Sequence, residues 1–73
     1  MYETSDIILA AYLKCKDIKL TDIKVENKKG TFVFESVPQQ YITDFNLGKA
    51  WVEPIAFNTH IRQLTTSVRR ISQ

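Results

Sequence analysis

Phe57, Ile61, Leu64, Val68 and Ile71 recur at steps of four, three, four and three residues between Pro54 and Ile71. That spacing places all five on one face of an α-helix, a two-heptad apolar seam that is stable only when laid against other apolar surface. In a chain of 73 residues, expected to form a single compact domain over 1–73, the cover comes either from the preceding segments or from a second copy. The preceding segments therefore have to be read for surfaces that fit the seam.

Thr4, Ser5 and Asp6 stand as candidate N-caps before the apolar run Ile7 to Cys15, where Lys14 and Lys16 suit the last turn of a helix. The run is apolar on most faces, so this helix is expected to be covered by the terminal helix, a sheet or another copy. Ile18 to Glu26 and Thr31 to Glu35 read as two strands joined through Asn27-Lys28-Lys29-Gly30, an arrangement that fits a type I turn. In the first strand the apolar residues change parity, from Ile18 and Leu20 to Ile23 and Val25, so either a bulge lies near Thr21-Asp22 or only the later half pairs regularly. Ser36-Val37-Pro38 predicts a second helix with Ser36 as cap, Tyr41, Ile42 and Phe45 on its inner face, and Gly48 ending it in a left-handed conformation. Ala50 to Val52 is a candidate third strand. Glu53 before Pro54 is a candidate cap for the terminal helix, and if it is the cap, Val52 and Phe57 occupy the two positions of a hydrophobic staple. The expected fold is α+β, in the order α-β-β-α-(β)-α: a small antiparallel sheet built on the hairpin, packed with the N-terminal and C-terminal helices.

Size bears on function as well. Below roughly 70–80 residues one core seldom suffices, and small domains add disulfides, a metal or oligomerisation. One cysteine excludes an internal disulfide, and Cys15 with His60 is too small a set of soft ligands for structural zinc. Self-assembly into a homo-oligomer or a protein partner is the remaining support, the alternative being a well-packed monomer, with no metal and no cofactor expected. The longest apolar run, Ile7 to Leu13, falls far short of the ~20 residues of a membrane span, and Glu3 and Asp6 occupy the place of a signal peptide's cationic region. A cytoplasmic setting is expected.

Signals of catalysis are weak. The two glycines, Gly30 and Gly48, make no phosphate loop, and the carboxylates are scattered. Cys15 and His60 could be written as nucleophile and base, but a Cys on an apolar helix behaves as a small hydrophobe and His60 flanks the seam. No enzyme is expected. The terminal helix instead carries Arg62, Arg69 and Arg70, with no acid after Glu53. Asn58, Arg62, Thr65 and Arg69 fall on one stripe beside the seam, while Arg70 projects to the other side. Side chains of these types contact phosphates and base edges. Lys28 and Lys29 at the hairpin tip would add to them only from the same side. A net charge of +2 and a pI near 8.8 fall short of a dedicated nucleic-acid domain, so cations at the C-terminal end of a helix dipole are the simpler account. Trp51, on the connector, is either a core plug or an interface anchor, with the core favoured.

Thr4-Ser5-Asp6 with Leu9-Ala10-Ala11-Tyr12-Leu13, then Lys19-Leu20 with Asp22-Ile23, Phe32-Val33-Phe34-Glu35, Gly48, Val52-Glu53-Pro54, Ala56-Phe57 and Arg62-Gln63-Leu64 follow one another in a telling order. In this the chain resembles a family of short, uncharacterised bacterial and phage domains, a domain of unknown function. Members often have Gly where Lys16-Asp17 stands here, and usually Asp in place of Glu53. The resemblance implies a compact domain of phage or mobile-element origin and assigns no activity. Two functions follow from the residues. The first is a small accessory protein that binds a protein partner or itself through Trp51, Phe57, Ile61, Leu64, Val68 and Ile71. The alternative is nucleic-acid binding through Asn58, Arg62, Thr65, Arg69, Arg70, Lys28 and Lys29.

Overall fold

The computed structural model describes residues 1–72 and contains three strands and three helices. They run in the order β1 (Tyr2–Thr4), α1 (Ile7–Cys15), β2 (Leu20–Glu26), β3 (Lys29–Phe34), α2 (Gln39–Asn46) and α3 (Pro54–Ser72). The fold is α+β, with an antiparallel sheet in the order β1-β3-β2. The third strand is Tyr2–Thr4 at the chain's start, not Ala50 to Val52, which belongs to no regular element. Tyr2 pairs with Phe34 and Thr4 with Phe32, so the N-terminus, not the connector, supplies the third strand.

The hairpin also turns differently from the sequence expectation. Asn27 and Lys28 both have positive φ, 53° and 65°, and Glu26 pairs directly with Lys29. This is a two-residue type I′ connection, whose twist matches that of the flanking strands, whereas a type I turn would splay them. Gly30 is thereby freed from the turn and becomes a strand residue. The parity change in β2 is a bulge, with a register shift between Leu20 and Asp22 that returns Leu20 to the face of Phe34. The Thr21 hydroxyl donates to the Val33 carbonyl at 3.1 Å, tying the extra residue to the neighbouring strand.

One face of the sheet carries Tyr2, Leu20, Ile23, Phe32 and Phe34, and these meet α1 and α3 in the core. Five consecutive residues of α1, Leu9 to Leu13, are buried, as a helix apolar on most faces requires. Tyr12 reaches α2, where its ring lies edge-on to Tyr41 at 6.3 Å and tilted against Phe45 at 5.7 Å. The opposite face carries Glu3, Asp22, Lys24, Glu26, Thr31 and Val33, and stays polar apart from Val33. There Lys24 pairs with Glu3 at 3.5 Å across the central strand.

Local chemistry ends the helices. Asp6 accepts from the Ile8 and Leu9 amides at the start of α1. At its far end Asp17 takes φ 60°, the Asp17 amide donates to Lys14 and the Ile18 amide to Leu13, a Schellman closure with Asp where glycine is usual. Gly48, at φ 72°, closes α2 in the same way, its amide donating to Phe45 and that of Lys49 to Asp44. Pro38 precedes α2 with no side-chain cap, so Ser36 does not have the capping role expected of it. Glu53 caps α3 as expected, accepting from the Ile55 amide and from that of Ala56 at 3.1 Å.

Candidate functional site

Helix α3 sorts the candidate residues by which way each points. Leu64 is buried, and Phe57, Ile61 and Val68 are half-buried against the core, so most of the seam closes this chain's own interior. Ile71 is 51% exposed. Trp51 corrects the sequence expectation: it is 82% exposed rather than a core plug, because the connector carrying it joins no strand and runs over the surface. Leu47 and Ile55, four residues to either side of Trp51, are 62% and 75% exposed. Neither was singled out from sequence. The available signal was phase, since Ile55 is apolar yet falls outside the seam.

Beside Trp51 lies a shallow cleft lined by Cys15, Lys16, Val52, Glu53 and Ala56. Burial pushes the Cys15 thiol up, the Lys16 ammonium opposes this, and the Glu53 and Asp17 carboxylates add to the rise. A thiol so placed is a poor nucleophile at neutral pH. His60 shares no hydrogen bond with it, and the buried His60 Nδ1 has no partner among the described residues. Among those residues no cluster of three metal-ligating side chains occurs and no helix is long and apolar enough to cross a membrane.

The arginines divide differently from the sequence stripe. Arg62 shares a shallow depression on the outer face of α3 with Gln63, Thr66, Ser67 and Arg70. Arg69 and Thr65 instead face the sheet, lining a groove with Ser5, Ile7, Lys29, Gly30, Phe32 and Val68. Lys29 of the hairpin thus comes to the same side as Arg69, but not to that of Arg62. Asn58 and Lys28 are exposed and line neither hollow. Val68 lies directly over Gly30: a Cβ on that glycine would come within 2.6 Å of Val68 Cγ2.

Residues 1–69 match the model of a family described as Domain of unknown function (DUF5659), and the chain belongs to that family. No curated protein and no solved structure matches it.

Proposed function

We propose that this DUF5659 member is a small non-enzymatic accessory protein that binds a protein partner through the surface around Trp51. The observation that carries this reading is the exposure of Trp51 at 82%, with Leu47 and Ile55, four residues to either side in the chain, exposed as well. A tryptophan buries about 150–250 Å² when covered. At about 25 cal/mol per Å² that is roughly 4–6 kcal/mol of gross hydrophobic free energy left unused in the free chain. Tryptophan dominates the energetic centres of protein interfaces for this reason. The seam, by contrast, is mostly spent on the core, so the contact surface moves from Phe57, Ile61, Leu64 and Val68 to the connector and the first turn of α3.

The test uses the double variant Trp51→Ser/Ile55→Ser, whose sites are exposed and contribute little to the core. Light scattering at micromolar concentration reads self-assembly, and affinity capture from host lysate, with and without nuclease, reads a different partner. The expected result is an oligomer or a captured protein that survives nuclease and is lost in the variant. Identical behaviour of variant and wild type refutes the proposal.

A second reading is favoured by Arg62 and Arg70 sharing one exposed depression with Gln63 and Thr66. This is a set of side chains suited to a nucleic-acid backbone. Binding to DNA or RNA at low salt would then weaken with added salt and with Arg62→Ala/Arg70→Ala. Affinity unchanged by either rules that reading out.

A further inference from the structure

The alternation of backbone hydrogen bonds in the sheet leaves one position of β3 open. Glu26 and Lys29 flank the two-residue turn, so they form a hydrogen-bonded pair, as do Lys24 with Thr31 and Asp22 with Val33 two steps further along each time. The amides and carbonyls of Gly30, Phe32 and Phe34 therefore point the other way, towards β1. Phe34 meets Tyr2 there and Phe32 meets Thr4, where β1 ends and the chain turns off into α1. Gly30 faces that side with no strand opposite it. An unpaired edge of this kind is a template for another strand.

The groove beside this edge is built to match. Its floor is Ile7, Phe32 and Val68, and its rim carries Lys29, Arg69 and the hydroxyls of Ser5 and Thr65, with no carboxylate among the lining residues. Two acids adjoin the groove, Asp6 between its lining residues Ser5 and Ile7, and Glu26 in a neighbouring hollow with Ser5 and Lys29. Asp6 caps α1, and Glu26, opposite Lys29 in the ladder, makes no ion pair with it among the described residues. The groove holds about 200 Å³, less than the ~300–1,000 Å³ of small-molecule pockets and on the scale of a side chain or two.

We propose that this groove binds an acidic extended segment of a partner protein, added as a strand beyond the end of β1, with an apolar side chain on the floor below Arg69 and an acidic neighbour beside Lys29. The residue of that segment paired with Gly30 projects its side chain to the helix side, against Ile7, Phe32 and Val68. Its neighbours project to the opposite face, where Lys29 lies, so an acid next to the apolar residue completes the charge. Affinity comes from the backbone pair at Gly30 and selectivity from the two side chains, as in other strand additions. The site lies at the other end of α3 from Trp51 and does not depend on the contact proposed there.

Selection of a displayed random seven-residue library on the intact protein is the test, followed by fluorescence anisotropy with the synthesised winner and amide shifts by NMR. The expected outcome is enrichment of Asp or Glu beside Val, Ile or Leu, with the Gly30 amide shifting on binding. Lys29→Glu/Arg69→Glu, both at the surface, should cut affinity at least about tenfold, the scale of charge-assisted contacts, and a peptide with Lys in place of its acid should recover it. Trp51→Ser/Ile55→Ser should leave binding unchanged. Several results overturn the proposal: no enrichment, winners lost in the Trp51 variant but kept in the charge variant, or an oligonucleotide that displaces the peptide and shifts Gly30 in its place. The second of these would still leave the Trp51 surface as a binding site.

Discussion

Replacing Gly30 with alanine tests how α3 sits on the sheet. The new Cβ would lie 2.6 Å from Val68 Cγ2 and 3.4 Å from Cγ1, where carbon atoms prefer about 3.5–4.0 Å. The overlap of about 1 Å cannot be relieved by swinging the valine away. A β-branched side chain on a helix has one strongly preferred rotamer, and both of its methyls already face the glycine. The strain therefore falls on the separation of α3 from β3. Overpacking of this kind costs about 1–3 kcal/mol. Alanine recovers roughly 0.5–1 kcal/mol over glycine inside a strand through lower unfolded-state entropy. Subtracting leaves between about 0 and 2.5 kcal/mol of lost stability, centred near 1, and at about 4–8 °C per kcal/mol that central loss lowers the midpoint by about 4–8 °C. Urea and thermal unfolding followed by circular dichroism read both numbers. A double-mutant cycle with Val68→Ala supplies the control: with the methyls gone, Gly30→Ala should become neutral or stabilising. If Gly30→Ala changes stability by the same amount in the Val68→Ala background as in the parent, the close approach of α3 to β3 is wrong.

The other predictions concern positions where a local rule is strained or satisfied. Asp17→Gly should raise stability by about 0.5 kcal/mol in urea titration, since relief of a left-handed penalty of roughly 1–2 kcal/mol exceeds the ~0.4–1 kcal/mol of added chain entropy; a less stable variant refutes the closure described for α1. Lys28→Gly gives the type I′ turn its preferred Asn-Gly pair and should stabilise by a similar ~0.5 kcal/mol, with no gain counting against the turn assignment. Glu53→Ala should cost about 1 kcal/mol through loss of the cap on the Ile55 and Ala56 amides, while Glu53→Asp should retain it. Because burial raises the Cys15 thiol, iodoacetamide should alkylate the folded chain more slowly than the unfolded chain at pH 8. The same shift stabilises the fold fully below the ordinary thiol value of about 8.5 and is lost as pH rises through the higher folded value. Wild type should therefore lose stability relative to Cys15→Ala above that pH, and a constant difference between them would refute the shift.

What the amino-acid sequence determined by itself is whatever depends on neighbours a few residues away. The seam of α3 follows from helical periodicity, the caps at Asp6 and Glu53 from side chains two or three residues before the amides they accept from, and the left-handed stop at Gly48 from the absence of a Cβ. The break before Asp22 was legible because a single extra residue inverts the apolar alternation on either side of it, but the choice between a bulge and irregular pairing of the first half came from the sheet. Tertiary structure decided the rest. Three residues, Tyr2 to Thr4, are too few to show a strand pattern, and they are a strand only because the edge of β3 at Phe32 to Phe34 offers them partners. Ala50 to Val52 joins neither edge of the sheet, and Trp51 is left in solvent. Gly30 reads locally as the end of a turn, yet its role comes from Val68, 38 residues later in the chain and in contact only after folding. The division of the arginines, Arg69 towards Lys29 and Arg62 towards Arg70, follows from the rotation of α3 on the sheet. Helical phase sets the angle between two side chains on one helix; only packing against another element sets which of them faces a neighbour and which faces water.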